Sequence, residues 1–157
     1  MSLRVLLAVV LTAALLAASL PAIQSAQQAR ADQQVTATVD RIEAATTDLA
    51  RHSDPVRPGV PGAVRRIRVE IPRRPAGVTL SVGPPAVARN GTETVLTASV
   101  PGEPDVVARL DVPVRPAGAD RPVLTNGTLE LGDSTTLTLE YRRVAGAPVV
   151  TATRGFK

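Results

Sequence analysis

The first 29 residues constrain this chain most, because one uncharged stretch runs through nearly all of them. Residues 5–29 contain no charged side chain, and residues 5–20 are almost entirely aliphatic. A helix rises about 1.5 Å per residue, so about 20 apolar residues cross a hydrocarbon layer of about 30 Å. We therefore predict a transmembrane segment over residues 5–23.

The two ends of this stretch bear on its orientation and its processing. Arg4 and the free amino terminus precede it, which favours residues 1–4 in the cytoplasm and the rest of the chain outside. A cleaved signal peptide needs small residues directly behind its apolar run. The small-residue pattern at 29–31 lies well beyond Leu20. We expect a retained membrane anchor in the cell membrane, with a secreted protein and a cleaved signal peptide as the alternative.

Past residue 23 the pattern becomes amphipathic. Apolar residues at spacings of four, three and seven share one helical face: Val35, Val39, Ile42 and Leu49. Pro21 is expected to kink the helix without ending it, whereas Pro55 ends it because proline cannot donate a backbone hydrogen bond. The sequence predicts one long helix from about Leu3 to His52, in which residues 24–54 form an amphipathic stalk.

From Val64 onward the apolar residues recur with a period of two. Short runs in which apolar and polar residues alternate are separated by proline and glycine. This pattern is typical of an antiparallel sandwich or small barrel in which one face of each sheet is exposed to solvent. We predict an extracytoplasmic β-domain over 64–157, joined to the stalk by a Pro/Gly linker at 55–63. One strand is expected over 106–114, with Pro113 marking an edge or bulge. The predicted fold class is α+β, a long N-terminal membrane and stalk helix followed by this β-domain.

Composition excludes several kinds of site. The chain has no cysteine, so disulfides, thiol catalysis and thiolate metal sites are ruled out. His52 is its only histidine, and it contains no phosphate-binding loop or nucleophile motif. We therefore expect no enzyme activity, catalytic residue, cofactor or metal site. Nucleic acid is not an expected partner despite the net charge of +4, since Tyr141 and Phe156 are too few to form a base-stacking platform.

Two Asn-Gly-Thr sequences, at Asn90 and Asn126, match the N-glycosylation pattern. Asn-Gly is also the favoured two-residue hairpin turn, because both positions accept a positive φ. We expect a turn at each position, and glycosylation of these asparagines is a second hypothesis.

Two further groups of residues are candidate contact sites. Small residues four apart on the membrane helix permit close helix pairing, although alanine is common in this chain: Ala13, Ala14, Ala17 and Ala18. Arginines crowd the start of the β-domain, where they could meet anionic lipid, an acidic partner or surface polysaccharide: Arg65, Arg66, Arg68, Arg73 and Arg74. A solvated strand face with arginine-rich turns is the favoured explanation of the second group.

A basic start, an apolar helix that continues into an amphipathic stalk, and a Pro/Gly-punctuated β-domain together resemble the type IV pilin-like class, in particular small pilin-like proteins of archaea and of haloarchaea especially. The resemblance implies that residues 5–23 pack in a filament core or remain inserted in the membrane. The apolar run lacks the glutamate typical of major pilins. The resemblance therefore implies an accessory structural subunit of a surface filament or related secretion apparatus. Its partners would be membrane lipid and protein partners or homologous subunits, bound through the N-terminal helix. A tethered β-domain that binds the envelope or a ligand is the alternative function.

Overall fold

The computed structural model describes residues 3–57, 59–73, 75–84, 93–117 and 127–155. Within them the chain forms one helix and eight strands: α1 (Leu3–His52), β1 (Val64–Val69), β2 (Thr79–Gly83), β3 (Thr94–Ser99), β4 (Val106–Leu110), β5 (Val114–Pro116), β6 (Leu129–Leu131), β7 (Thr135–Val144) and β8 (Ala147–Gly155). The predicted α+β class, with a long N-terminal helix before a β-rich domain, is confirmed.

The helix has the predicted bounds. It passes through Pro21 without interruption and ends with Arg51 and His52 in its last turn, where a cationic side chain complements the negative end of the helix dipole. Pro55 follows three residues later and prevents further helical hydrogen bonding.

The strands form two four-stranded sheets. Sheet A has the order β1-β7-β8-β5 and sheet B the order β4-β3-β2-β6. All neighbouring strands are antiparallel except β5 and β8, which pair in parallel. Aliphatic residues from both sheets form one continuous core, among them Val69, Leu137, Leu139 and Val150 from sheet A and Leu80, Val82, Leu96 and Leu131 from sheet B. This arrangement is a small β-sandwich.

The prediction of one strand over 106–114 is wrong. β4 ends at Leu110 at the edge of sheet B, and β5 begins at Val114 at the edge of sheet A, so the chain changes sheets between them. Pro113 lies at this crossover, and its carbonyl accepts a hydrogen bond from the Val150 amide at 2.9 Å. Because proline has no amide hydrogen, it suits the point where ladder pairing stops on one sheet and starts on the other.

The second half of α1 is part of the sandwich core. Seven of its residues are buried, and they include all four apolar positions of the predicted face: Ala31, Val35, Thr38, Val39, Ile42, Thr46 and Leu49. The helix contacts β1 and β7 of sheet A and β3 and β4 of sheet B. Since β1 and β4 are edge strands, the helix closes one open side of the sandwich.

The segment between the helix and β1 is hydrogen-bonded to β7. The Arg143 amide donates to the Val56 carbonyl at 2.7 Å, and the Tyr141 amide donates to the Ala63 carbonyl at 3.3 Å. Val56 also forms an isolated parallel bridge with Arg142. The predicted Pro/Gly linker therefore extends the edge of sheet A at both of its ends.

The hairpin between β7 and β8 turns at two residues with positive φ, Ala145 at 48° and Gly146 at 85°. Two such residues form the type I′ turn, whose twist matches that of the flanking strands. The two predicted Asn-Gly turns cannot be compared with it, because Asn90 and Asn126 lie outside the described residues.

Candidate functional site

The first half of α1 projects from the sandwich as an exposed apolar surface. The exposed fraction of its large aliphatic residues runs from 82% at Leu3 to 52% at Ile23, and Ala31 is the first buried residue of the helix. Its most apolar 18-residue window has a mean hydropathy of 2.4, and none of that window is buried. An apolar surface of this extent marks an interaction site or a membrane segment. This one is long and apolar enough to cross a membrane.

The polar atoms inside the apolar segment are satisfied by the helix itself. The hydroxyls of Thr12 and Ser19 each donate to the carbonyl four residues earlier, at Ala8 and Leu15, over 2.8 Å. Side-chain hydroxyls that bond back in this way add no unsatisfied donor to the helix surface. The four candidate packing alanines, Ala13, Ala14, Ala17 and Ala18, are all exposed on this segment.

The sandwich begins close to the end of the apolar segment. The Gln28 side-chain amide donates to the carbonyl of Pro101, in the loop between β3 and β4, at 3.4 Å. Gly102 in the same loop has a φ of +89°, and a Cβ atom there would lie 2.8 Å from the Gln28 side-chain nitrogen. Gln28 follows Ile23 by about five residues, which is about 7.5 Å along a helix. A bilayer around residues 5–23 would therefore place this loop at the headgroups.

The structure divides the predicted arginine group. The Arg65 side chain turns toward the helix, where its Nε donates to Asp48 Oδ2 at 3.0 Å. Arg66 and Arg68 are exposed, Arg73 is exposed in the loop after β1, and Arg74 lies outside the described residues. The register of β1 on β7 pairs Arg65 with Leu139 of the core, so Arg66 and Arg68 point to the opposite side of sheet A.

The Asp48 cluster is a local ion-pair arrangement at the far end of the helix. Arg65 Nη2 also reaches Asp48 Oδ2, at 2.5 Å, and His52 Nδ1 lies 3.0 Å from Asp48 Oδ1. The hydrogen bond from Arg65 is the largest cause that lowers the pKa of the Asp48 carboxyl below its ordinary value of 3.8. Both Asp48 and His52 are substantially exposed, at 39% and 72% of the side chain, so this cluster stabilises the junction between helix and sheet only modestly.

The side of sheet A that points away from the core is polar. We call it the outer face of sheet A, and by strand register it comprises Val64, Arg66, Arg68, Arg115, Thr136, Thr138, Glu140, Arg142, Val149, Thr151 and Thr153. Glu140 is bound to Arg142 by an ion pair of 2.7 Å, and Thr151 is buried and donates to the Glu140 carbonyl at 3.2 Å. The alternation of apolar residues does not predict this face, because its arginines come from three strands and the alternation does not show which strands pair.

One open groove borders the outer face. Its volume is about 510 Å³, and it is lined by Gln34, Arg68, Glu70, Ile71, Pro72, Ser134, Thr135, Thr136 and Gly155. The groove mixes one positive and one negative side chain with hydroxyl and amide groups. Among the described residues there is no group of three or more His, Cys, Asp or Glu side chains that could hold a metal ion.

The chain matches a protein-family model over almost its whole length. The family model described as a domain of unknown function, DUF7311, matches residues 2–155. The chain belongs to the DUF7311 family. The match spans the apolar half of α1 as well as the sandwich, so the DUF7311 unit contains both. Neither the curated proteins nor the solved structures include a match to the chain.

Proposed function

We propose that this DUF7311 chain is a membrane-anchored, pilin-like accessory structural subunit of a surface filament or related secretion apparatus. In this proposal residues 5–23 cross the membrane, residues 1–4 are cytoplasmic, and the sandwich stands outside. One observation carries it: a single continuous helix has an exposed apolar first half and a second half buried in a β-sandwich. A helix that served only as a cleaved signal would not need the second half.

The strength of the proposed anchor follows from its composition. Residues 5–23 contain ten Leu, Val and Ile residues. Each contributes about 0.3–0.6 kcal/mol to insertion, or about 3–6 kcal/mol together, whereas one arginine at the centre of a span costs about 2.5–3.5 kcal/mol. Two central arginines are thus sufficient to offset the gain from the aliphatic residues.

The anchor is tested with the variant Leu11→Arg/Leu15→Arg in the full chain expressed in cells. We expect the wild-type chain to stay with membranes after alkaline carbonate washing and the variant to be released. The control is Gln33→Arg/Ala44→Arg, which adds the same charge at exposed positions on the second half of the helix and should remain membrane-bound. A wild-type chain found in the medium, with an intact mass that begins near Gln27 or Asp32, would refute the anchor and favour the secreted alternative.

The proposed contact between subunits is tested separately. The chain has no cysteine, so one introduced cysteine is unique. Ala17 and Ser19 lie at nearly the same depth but about 200° apart around the helix. Oxidation in membranes should cross-link Ala17→Cys into dimers and leave Ser19→Cys monomeric. Equal cross-linking of both variants, or of neither, would contradict pairing through the alanine face while leaving the anchor intact.

A tethered envelope-binding domain is the second candidate. It requires the same anchor, and the observation that favours it is the arginine- and threonine-rich outer face of sheet A. Both candidates can be true of one protein, since the helix and the outer face occupy different parts of it.

A further inference from the structure

We propose that the accessible part of the outer face of sheet A, on β1, β7 and Thr153 of β8, is a docking surface for an extended, carboxylate-bearing polysaccharide outside the membrane. Arg115, Val149 and Thr151 of the same face are buried and take no part. This inference rests on the proposed export of the sandwich. It deepens the second candidate function by naming the surface and the class of ligand.

The accessible part of the outer face carries positive charge that the described residues do not neutralise. Arg66 and Arg68 are both exposed on β1, and neither forms an ion pair within the described part of the chain. Arg65 forms an ion pair with Asp48, and Arg142 forms one with Glu140. A guanidinium group presents a planar fork of donors that fits a carboxylate, so two free arginines on one strand form two anion contacts.

Hydroxyl groups line the same surface next to the two arginines. The register pairs Arg66 with Thr138 and Arg68 with Thr136, and Thr138 in turn pairs with Thr153 on β8. Residues two apart on a strand lie about 6.6 Å from each other. The result is a row of two cations on β1 beside hydroxyl groups on β7 and β8, which can bind the carboxylates of an acidic sugar chain and hydrogen-bond its hydroxyl groups.

The direction of this face argues against lipid headgroups as the ligand. Asp48, late in the helix, bonds Arg65 near the start of β1, while Gln34, earlier in the helix, shares a groove with Arg68 near the end of β1. β1 therefore runs back along the helix toward the proposed membrane. The outer face therefore points sideways from the helix axis. Gln34, which lines the same groove as Arg68, follows Ile23 by 11 residues, or about 16 Å along the helix, so Arg68 lies well beyond the proposed hydrocarbon layer.

The composition of the face argues against a protein partner. The centres of protein interfaces are enriched in aromatic residues, methionine and arginine, whereas threonine is under-represented among the residues that carry the binding energy. Around Arg66 and Arg68 the outer face offers threonines instead, and its one exposed large apolar residue, Val64, lies at the far end of β1. Glu70 borders the groove beside Arg68 and limits the anion site to the β1 and β7 rows.

The test uses the full chain in nanodiscs of zwitterionic lipid, with immobilised polygalacturonate as the probe and uncharged dextran as the reference polymer. We expect binding to polygalacturonate that weakens as salt rises, and no binding to dextran. Arg66→Gln/Arg68→Gln should weaken the affinity for polygalacturonate by about tenfold. Arg109→Gln/Arg143→Gln removes the same charge from exposed positions off this face and should change the affinity by less than about twofold.

Several outcomes would overturn the proposal. The first is equal loss of affinity in the two double variants, which would indicate a general charge effect. The second is unchanged binding by Arg66→Gln/Arg68→Gln whose circular dichroism spectrum matches the wild type. The third is tighter binding to vesicles with phosphatidylglycerol, or to double-stranded DNA, than to polygalacturonate at equal charge concentration.

Thr138→Val removes one hydroxyl group and no charge from the same surface. It should weaken the affinity for polygalacturonate two- to fivefold, and an unchanged affinity would contradict the hydroxyl contact. Since the assay reads binding and not membrane insertion, its failure is distinguishable from failure of the anchor.

Discussion

Replacing Ile42 with alanine tests whether the second half of α1 belongs to the core of the sandwich. Ile42 has no exposed surface and lies in the cluster that contains residues of both sheets. Truncation of a buried isoleucine to alanine costs about 2–5 kcal/mol, from the lost transfer free energy and the cavity that remains. Because Ile42 contacts a core formed by a helix and two sheets, the site cannot collapse easily, and we expect about 3–4 kcal/mol.

The chain supplies its own reporter for this measurement. Tyr141 is the only tyrosine, there is no tryptophan, and the tyrosine is buried at 7% exposure in the same cluster. Urea unfolding of the full chain in micelles of a non-aromatic detergent, followed by tyrosine fluorescence, therefore reports on the sandwich. With an m-value of about 2 kcal/mol/M, a loss of 3–4 kcal/mol lowers the midpoint by about 1.5–2 M.

The matched control is Glu43→Ala, the next residue on the helix, which is exposed. It should change the free energy of unfolding by less than about 0.5 kcal/mol. If Ile42→Ala and Glu43→Ala shifted the midpoint equally, the burial of Ile42 would not stabilise the sandwich and the second half of the helix would not be part of its core. A changed m-value for Ile42→Ala would instead indicate a change in the compactness of the native or denatured state or a loss of two-state unfolding, and detachment of the helix before the sandwich unfolds is one way to produce it.

Three further measurements test single interactions. Thr94→Val should destabilise the sandwich by about 1–3 kcal/mol in the urea assay. The buried Thr94 hydroxyl oxygen accepts a hydrogen bond from the Val114 amide at 2.7 Å, and valine leaves that donor unpaired. An unchanged free energy of unfolding would mean that water replaces the hydroxyl. Ala145→Asn should stabilise it by about 0.5–1 kcal/mol, since asparagine tolerates the positive φ of the β7–β8 turn better than alanine, and a loss of stability would contradict the type I′ turn. The lowered pKa of Asp48 predicts that the stability from its bond with Arg65 is complete above the ordinary carboxyl pKa of 3.8 and is lost as pH falls below it. Asp48→Asn should flatten the stability profile over that range, and an unchanged profile would assign the acid sensitivity to other carboxyls.

The helix was the most predictable element of this chain. Its bounds follow from local chemistry, since the apolar run, the spacing of Val35, Val39 and Ile42, and the stop at Pro55 all lie close together in sequence. The period of two likewise indicated the sandwich. The alternation gave no sign of the sheet change at Pro113, because a strand that crosses between sheets keeps the same inward and outward pattern on both sides of the crossover.

The division of the arginines could not be predicted for a related reason. Arg65 and Arg66 are neighbours in sequence and point to opposite sides of β1, but which side meets the helix depends on the packing of α1 against both sheets. The same tertiary packing turns Asp48 toward Arg65. Sequence proximity grouped five arginines, whereas strand register groups two of them with threonines from β7 and β8.

The burial of the helix in the sandwich has a consequence for any force on the membrane segment. Release of the second half of α1 would expose seven buried side chains, including Ile42 and Leu49 at 0% and 2% exposure, and would open the side of the sandwich between β1 and β4. At about 1.5–3 kcal/mol for each large aliphatic side chain, Val35, Val39, Ile42 and Leu49 alone oppose release with about 6–12 kcal/mol. That range is comparable to the whole stability of an ordinary domain. A chain pulled at its membrane segment should therefore unfold its sandwich as a unit, and Ile42→Ala should lower the force at which this occurs without changing how strongly residues 5–23 are held in the membrane.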